Sequence, residues 1–410
     1  MKRWISLLLV LAMALPLTAC KNEEEPIETV SPEVKILQDR RTMVEQHMRE
    51  ALSVLWRPQE DIVYHVGSGT REYKLEAGRL YRGVPYAYAS GTRASFLEFA
   101  GTPDENGIYT ISGLDGLAMT GGSTDARIGS DCSSTLTAAW SVVSSTLNAC
   151  VSREMTKENG VIPVGEYEFC PTMDGEDIVA TKPVIEKNGA EVMFKAYAQA
   201  QKGDALMHIY DSASGSNHVM MVVSSNVVYT DKGLIDGAKS TFTVLEQTRT
   251  NFNAGKTTTL VATGETVHII GGMDVEYTFL ELLGDSYIPL TVKELVDASA
   301  PVAEVVITDS VTQHSKDTIF TGTISSNYFI DSVTFTITDS TGKELQKAAA
   351  SVTRWSNKDF DMQKFLTDNA VTIRGEFDLE LLDPGTYHMT VVCRLAKGDE
   401  KTVRDFDFTV

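Results

Sequence analysis

Apolar residues recur along the chain with two different periods, and the change of period divides the chain into two parts. Between residues 32 and 56 they lie three or four positions apart until Pro58 ends the pattern, which predicts one amphipathic helix. Glycine-rich loops, a strong helix near 132–148 and alternating strands after residue 205 follow. This mixture lacks a regular strand–helix alternation, so we predict an α+β domain over residues 34–300.

After residue 300 the apolar positions alternate with Thr and Ser in period two. Short runs of this kind are separated by turn signals such as 339–342 (Asp-Ser-Thr-Gly) and 383–385 (Asp-Pro-Gly). Many short alternating strands with regular turns are typical of an immunoglobulin-like sandwich, which we predict for residues 301–410. This second domain shows no candidate site, so its ligand stays unknown and a role as a spacer or adhesive module is expected.

The first 20 residues have the layout of an export signal, with two basic residues before an apolar run over 5–15. The run is shorter than the roughly 18 apolar residues that a membrane-spanning helix needs. Its end, Leu-Thr-Ala-Cys at 17–20, resembles the lipobox of bacterial lipoproteins, which implies lipidation of Cys20; ordinary cleavage after Ala19 is the alternative. The acidic stretch 21–33 is then a flexible tether. We expect an exported lipoprotein of the cell membrane or outer membrane, facing the cell envelope.

Charge and motif content narrow the function further. The 410 residues contain 36 Lys and Arg against 56 Asp and Glu, a net charge of −20. Binding to phosphate backbones needs an excess of positive charge, so a nucleic-acid partner is not expected. His, Cys and carboxylates are not spaced as zinc ligands, and glycine-rich phosphate loops do not occur, so the sequence predicts neither a metal nor a cofactor.

Cys132 stands at the start of the strongest predicted helix. The apolar positions of that helix recur at three- or four-residue steps: Leu136, Ala139, Trp140, Val143 and Leu147. Extending this face back by four positions reaches Cys132, with Asp131 or Ser130 as the helix N-cap. Unpaired N–H groups and the positive end of the helix dipole favour a thiolate there and can stabilise an oxyanion. The alternative is a buried, inert cysteine.

A histidine and a glutamate on two later strands supply candidate partners for the thiol. His218 begins the strand that continues to 223, and Glu246 lies near the end of the strand over 240–247. If the two strands run antiparallel, position 246 falls opposite 218, so Glu246 can orient the imidazole, and 226–239 is an excursion between them. Asn226 is the weaker candidate for this orienting role, and His208 is the competing candidate for the base.

The motifs around these residues resemble those of a known superfamily. Four blocks occur in the same order as in the NlpC-type and CHAP-type cell-wall hydrolases, which are papain-like cysteine peptidases and amidases: 82–86 (Arg-Gly-Val-Pro-Tyr), 130–134 (Ser-Asp-Cys-Ser-Ser), 203–206 (Gly-Asp-Ala-Leu) and 217–222 (Asn-His-Val-Met-Met-Val). The resemblance implies that Cys132 is the nucleophile, that His218 is the base and that Glu246 orients it, as in the CHAP branch. It also implies that Tyr86 and Asp131 lie in the substrate and oxyanion region.

The resemblance implies a lipid-anchored hydrolase that cleaves an amide bond of peptidoglycan, as a stem-peptide endopeptidase or an amidase. Two alternatives are a non-catalytic surface binding or adhesion protein, and an amide hydrolase or acyltransferase with another substrate. The sequence departs from the family pattern in the long insert 87–129, in Ser134 where a small Gly is usual, and in the 28-residue step from His218 to Glu246. The insert leaves the identity of the substrate less defined than the fold.

The remaining cysteines have separate expected roles. Cys150 and Cys170 could pair outside the cytoplasm, although their spacing does not decide whether they do. Cys393 lies in a predicted sandwich strand and is expected to be a small core residue.

Overall fold

A computed structural model describes most of the chain beyond the predicted signal and tether. The described residues are 31–65, 72–87, 93–112, 129–148, 152–168, 180–210, 217–302, 304–352, 358–362 and 371–410. Cys20, Cys150 and Cys170 lie outside them, as do the predicted signal peptide and much of the insert 87–129. The lipidation of Cys20 and the pairing of the two later cysteines therefore remain predictions.

Six α-helices occur within the described ranges. They are α1 (Pro32–Ser53), α2 (Arg93–Ala100), α3 (Cys132–Ser141), α4 (Lys182–Tyr197), α5 (Thr250–Asn253) and α6 (Phe279–Gly284).

The strands of the same ranges form several sheets. They are β1 (Leu55–Pro58), β2 (Ile62–His65), β3 (Glu72–Leu75), β4 (Leu80–Arg82), β5 (Ile108–Ile111), β6 (Val161–Pro163), β7 (Ala205–His208), β8 (His218–Asn226), β9 (Thr241–Glu246), β10 (Thr257–Thr259), β11 (Thr266–Ile269), β12 (Gly272–Thr278), β13 (Ile288–Val292), β14 (Ile307–Asp309), β15 (Thr323–Ser326), β16 (Ile330–Thr338), β17 (Glu344–Val352), β18 (Asp359–Asp361), β19 (Val371–Glu376), β20 (Thr386–Leu395) and β21 (Glu400–Thr409). The molecule is thus mixed α and β, with many strands and few helices.

Helix α1 begins and ends for local reasons that the sequence partly reveals. The Ser31 hydroxyl accepts a hydrogen bond from the Val34 N–H, which caps the first turn, and Pro32 occupies a position where its missing N–H costs nothing. The prediction that the helix continues to Trp56 is wrong. Val54 has an extended backbone, and Trp56 pairs with β4 and β5 instead of extending the helix.

The candidate site lies on a six-stranded sheet of order β12-β9-β8-β7-β13-β6, in which every neighbouring pair is antiparallel. Helix α3 packs against this sheet, and all ten of its residues are buried. The Trp140 indole donates a hydrogen bond to the Gly203 carbonyl at 2.8 Å and so ties the helix to the turn before β7. Sheet and helix together form the main hydrophobic core.

The helix predicted over 132–148 is shorter than the sequence pattern indicates. It ends at Ser141, and turns follow it. Val143 and Leu147 are nevertheless buried in the same core as the helix. Their spacing therefore indicates that they are buried, and it does not show that the helix continues to them. For this reason the apolar period overestimated the length of α3.

A second sheet, of order β10-β11-β4-β1-β5, lies beside the first and has its own core around Trp56 and Tyr81. Strand β5 and helix α2 belong to the insert 87–129. Because β5 pairs with β1 in parallel, the described part of the insert extends this second sheet and not the sheet of the candidate site.

The C-terminal residues form two antiparallel sheets that face each other across one core. One sheet has the order β14-β15-β18 and the other β19-β17-β16-β20-β21. Arg404 is buried between them, where its guanidinium binds the Asp309 carboxylate. Cys393 is buried in β20, as predicted, and burial raises the pKa of its thiol to about 12.

The two halves of the chain are packed together. Phe329 and Ala396, from the C-terminal half, are buried in the same core as α3. The Lys358 ammonium donates a hydrogen bond to the Ser145 carbonyl at 2.5 Å, just after the end of α3. The C-terminal sandwich is therefore joined to the turn that follows the Cys132 helix.

Candidate active site

Cys132 is the first residue of α3, and its neighbour Asp131 caps the helix. The Asp131 carboxylate accepts hydrogen bonds from the Ser134 N–H at 2.7 Å and the Ser133 hydroxyl at 2.9 Å. Burial raises the pKa of Asp131, and these hydrogen bonds oppose that rise. Of the two predicted caps, Asp131 is the one observed. The capped first turn fixes the Cys132 side chain, which is 5% exposed, at the positive end of the helix.

The thiol of Cys132 faces the beginning of β8. Its Sγ lies 4.0 Å from the carbonyl oxygen of Asn217, the residue before His218. Cys132 also interacts with the His218 imidazole, and this interaction raises the pKa of His218. Helix α3 and strand β8 are in direct contact, so the packing of helix on sheet brings the two side chains together.

The His218 imidazole lies between the thiol and the Glu246 carboxylate. Its Nε2 is 2.8 Å from Glu246 Oε2, with the His218 side chain 20% exposed and the Glu246 side chain 5% exposed. Because Nε2 meets the carboxylate, the Nδ1 nitrogen is left for Cys132. Burial alone lowers the pKa of His218, but the hydrogen bonds and charges of Cys132 and Glu246 raise it to about 10. The imidazolium form is therefore strongly stabilised.

The predicted contact between His218 and Glu246 is present, but the predicted register is off by two residues. Strands β8 and β9 are antiparallel, and Met221 pairs with Leu245, which aligns position 246 with 220 and not with 218. Glu246 is therefore the diagonal neighbour of His218. A shift of two residues keeps both side chains on the same face of the sheet, within reach of each other.

Glu246 is held from its other side by residues that sequence reasoning missed. The Tyr277 hydroxyl donates a hydrogen bond to Glu246 Oε1 at 3.2 Å. Burial and the Glu246 charge raise the pKa of Tyr277, so this hydroxyl keeps its proton. A Cβ at Gly272 would lie 2.8 Å from the Glu246 side chain, so the glycine leaves room for the carboxylate in its observed position. Neither residue belongs to a motif that could have revealed it.

Tyr86 lies beside the loop that carries the nucleophile candidate. Tyr86 and Ser130 form an isolated parallel bridge, with the Ser130 N–H donating to the Pro85 carbonyl at 2.9 Å. A Cβ at Gly129 would meet the Pro85 carbonyl oxygen at 2.8 Å, so glycine allows this close approach. The guanidinium of Arg249 lies 5.7 Å from the centre of the Tyr86 ring.

Sequence reasoning also missed Gln247, which connects the Tyr86 segment and the loop before Cys132 with strand β9. Its amide donates hydrogen bonds to the Val84 carbonyl at 2.7 Å and the Ser130 carbonyl at 3.2 Å. Gln247 directly follows Glu246, so the end of β9 fixes the Tyr86 segment and the Cys132 loop together. In the sequence, the only indication that the Gln247 amide belongs to the site is its position next to Glu246.

The other sequence candidates lie elsewhere. Asn226 is exposed at the opposite end of β8 from His218, so the structure does not bring it to the imidazole. His208 is buried on β7 directly beside His218, and no described contact joins it to Cys132. Asp204, in the third of the four blocks, is buried in an ion pair with Arg41 at 2.8 Å. This block supports the fold and does not reach the site.

The arrangement has the groups that acyl transfer by a cysteine requires. In such a reaction a thiol is the nucleophile, an imidazole carries the proton and a carboxylate orients the imidazole. The first N–H groups of α3 have no acceptor within the helix and can bind a developing oxyanion. Among the described residues no cluster of three His, Cys, Asp or Glu side chains could hold a metal ion.

Comparison with known proteins gives no family for this chain. No protein-family model matches it, and no curated protein is significantly similar to it. The papain-like resemblance therefore rests on the four short sequence blocks. In the described part of the chain, no helix combines the length and the apolar character needed to cross a membrane.

Proposed function

We propose that this chain is an exported, lipid-anchored cysteine hydrolase that cleaves an amide bond in cell-wall peptidoglycan, as a stem-peptide endopeptidase or an amidase. One observation carries the proposal. Cys132 at the N-terminus of a buried helix faces the start of β8, where the His218 side chain lies 2.8 Å from the buried Glu246 side chain. A cysteine, a histidine and a carboxylate are the groups that cysteine acyl transfer uses.

We also infer a papain-like fold for residues 34–300. The inference is supported by the packing of α3 on the antiparallel sheet and by the order of the four sequence blocks along the chain. An immunoglobulin-like identity for residues 301–410 is proposed on the two-sheet core. The choice of peptidoglycan as substrate comes from the resemblance to cell-wall hydrolases and from the predicted export.

The proposed reaction proceeds in two steps. The Cys132 sulfur attacks the substrate carbonyl, and the negative oxygen that forms is bound by the Cys132 backbone N–H near Tyr86. His218 gives a proton to the leaving amine as the C–N bond breaks, which leaves a thioester on Cys132. Water, deprotonated by His218, then attacks the thioester and releases the acid together with the free thiol.

Glu246 has a defined task in this scheme. It fixes the tautomer of His218 by binding Nε2, so that Nδ1 faces the sulfur throughout both steps. Because the carboxylate also stabilises the imidazolium, the proton stays on His218 until the amine can take it.

Mass spectrometry of peptidoglycan digests tests the proposal and identifies the bond. Purified peptidoglycan is incubated with the mature protein, and the released muropeptides are compared with those of the Cys132→Ala protein. Stem-peptide cleavage yields new N-terminal amines within the peptide, whereas an amidase separates intact peptides from the glycan. Identical digests from both proteins would refute the proposal. Cleavage of other amides, with peptidoglycan left intact, would support the proposed reaction and refute peptidoglycan as its substrate.

A further inference from the structure

Four adjacent strands of the site sheet end in one row of polar and aromatic side chains. Strand β9 ends at Glu246, β8 begins at His218, β7 ends at His208, and Tyr287 directly precedes β13. His208 and His218 are paired across β7 and β8, and the β7–β13 register aligns Tyr287 with His208. The proposed chemistry uses only His218 and Glu246, the two members of this row that lie on β8 and β9.

His208 is buried without a hydrogen-bond partner for either ring nitrogen in the described part of the chain. Its residue is 8% exposed, and backbone groups of Asp285 and Ser286 near the ring raise its pKa, against the lowering by burial. Burial lowers the pKa of His208, so at neutral pH the ring is uncharged and offers one donor and one acceptor. A buried polar ring left unpaired is costly, which points to a binding partner at this place.

Two tyrosines frame this imidazole. The Tyr210 ring stands edge-on to His208 with 4.2 Å between centroids, and the Tyr287 ring lies 5.4 Å away. Tyr287 also meets the His218 ring edge-on at 6.5 Å, so it spans the distance from one imidazole to the other.

The backbone of Tyr287 is held firmly in place. Its carbonyl accepts a hydrogen bond from the Tyr197 hydroxyl at 2.6 Å. The preceding residue, Ser286, has a φ of 61°, a left-handed conformation that costs a non-glycine residue free energy. Strain of this kind persists where the surrounding contacts fix a side chain in a required position.

We propose that His208, Tyr210 and Tyr287 form a substrate subsite, on the side of His218 away from Glu246, for an uncharged, amide-bearing part of the acyl substrate. The neutral imidazole exchanges a hydrogen bond with the substrate amide, and the two phenol rings pack on its flat or apolar portion. We refer to the three residues as the His208 subsite. The inference rests on the proposed chemistry at Cys132, because the subsite places a substrate against that sulfur.

Alkylation kinetics test the His208 subsite without knowledge of the natural substrate. The two reagents are iodoacetamide and N-benzyl-2-iodoacetamide, which carries an aromatic group on the same neutral amide. Both present the same reactive carbon, and the Cys132 sulfur displaces iodide from either. The ratio of the two second-order rate constants is measured by mass spectrometry of the Cys132 peptide. N-acetylcysteine gives the ratio for a thiol without a subsite.

The ratio for the wild-type protein is expected to exceed that of N-acetylcysteine by about tenfold, the size of one hydrogen bond and one ring contact. His208→Phe and Tyr287→Leu should each lower it severalfold while the iodoacetamide rate changes little. His208→Gln, which keeps a donor and an acceptor, should retain more of the ratio than His208→Phe. Tyr229→Leu, on an exposed tyrosine, is the matched control.

Two outcomes overturn the subsite. One is a wild-type ratio equal to that of N-acetylcysteine, and the other is a ratio that all three variants leave unchanged while thermal unfolding shows them folded. Failure of the proposed function looks different, because Cys132→Ala would then leave peptidoglycan digestion unchanged whatever the alkylation ratio.

Discussion

At the scale of single residues, Glu246 is the group that most directly controls His218. Replacing Glu246 with Gln removes the carboxylate that stabilises the imidazolium but keeps the size of the side chain. A hydrogen bond to a charged group contributes about 1.5–3 kcal/mol, so we expect kcat to fall about 10- to 100-fold. Glu276→Gln, an exposed carboxylate on the neighbouring strand β12, removes the same charge and should leave kcat unchanged.

The same variant also changes the pH dependence of the reaction. In the proposed reaction the amine leaves only while His218 is protonated, so activity should persist at alkaline pH and fall as the pH rises through the His218 pKa of about 10. Without the Glu246 charge that pKa is lower, and the alkaline limb of the pH–rate profile should move toward neutrality. An alkaline limb at the same pH in wild type and Glu246→Gln would show that this carboxylate does not stabilise the imidazolium.

Tyr277 acts one step further from the reacting atoms, through Glu246. Tyr277→Phe removes the 3.2 Å hydrogen bond to Glu246 and little else. A hydrogen bond to a carboxylate contributes about 1.5–3 kcal/mol, and Tyr277 affects His218 only through that carboxylate, so kcat should fall by less than in Glu246→Gln, about tenfold at most, with KM little changed. The exposed Tyr229→Phe serves as the control. A change in KM alone would assign Tyr277 to substrate binding and contradict the positioning role.

The His218–Glu246 contact shows what residue-level reasoning can and cannot predict. Alternation in period two identifies the face of each strand, and both side chains are indeed on one face. A slip of two residues preserves that face, so the pattern cannot separate the predicted register from the observed one. Tyr277 and Gln247 escaped prediction for a related reason, because only the folded sheets bring them to Glu246 and Ser130.

At the scale of elements, the site depends on the close approach of the Tyr86 segment to the loop before α3. Gly129→Ala would place a Cβ 2.5 Å from the Ala87 Cβ and 2.8 Å from the Pro85 carbonyl oxygen, so the segments must separate. We expect a loss of kcat/KM of about tenfold or more, since small displacements near reacting groups are costly. The measurement is the rate of muropeptide release, with folding checked by circular dichroism.

Gly284→Ala is the matched control for this prediction. Gly284 lies at the end of α6, and a Cβ there meets nothing within 4 Å. Equal effects of the two substitutions would mean that the approach of Tyr86 to Ser130 has no part in the activity.

The elements themselves were predicted unevenly. The strands β8 and β9 and the excursion between them follow from alternating apolar residues, and the start of α3 follows from its cap. The end of α3 did not, because Val143 and Leu147 keep a helical spacing although they lie beyond the last residue of the helix. The pairing of β5 with β1 joins positions more than fifty residues apart, and a local apolar pattern carries no information about such a partner.

At the scale of the whole molecule, the two halves are expected to unfold together. Phe329 of the C-terminal half is buried in the core that contains α3, so the two halves share part of one core. Phe329→Ala should destabilise the protein by about 3–5 kcal/mol through the cavity it leaves. Thermal unfolding should remain one transition at a lower temperature, whereas Leu381→Ala, on an exposed residue, should not shift it. Two separate transitions in the wild-type protein would contradict this coupling.

We propose that Cys132 and His218 act as one catalytic unit on peptidoglycan. The measurement that tests it most directly is the rate of muropeptide release by Cys132→Ala, by His218→Ala and by the double variant. Residues that act as a unit are not additive, so each single variant should fall to the background rate and the double variant should fall no further. Release at the wild-type rate by either single variant would contradict the claim.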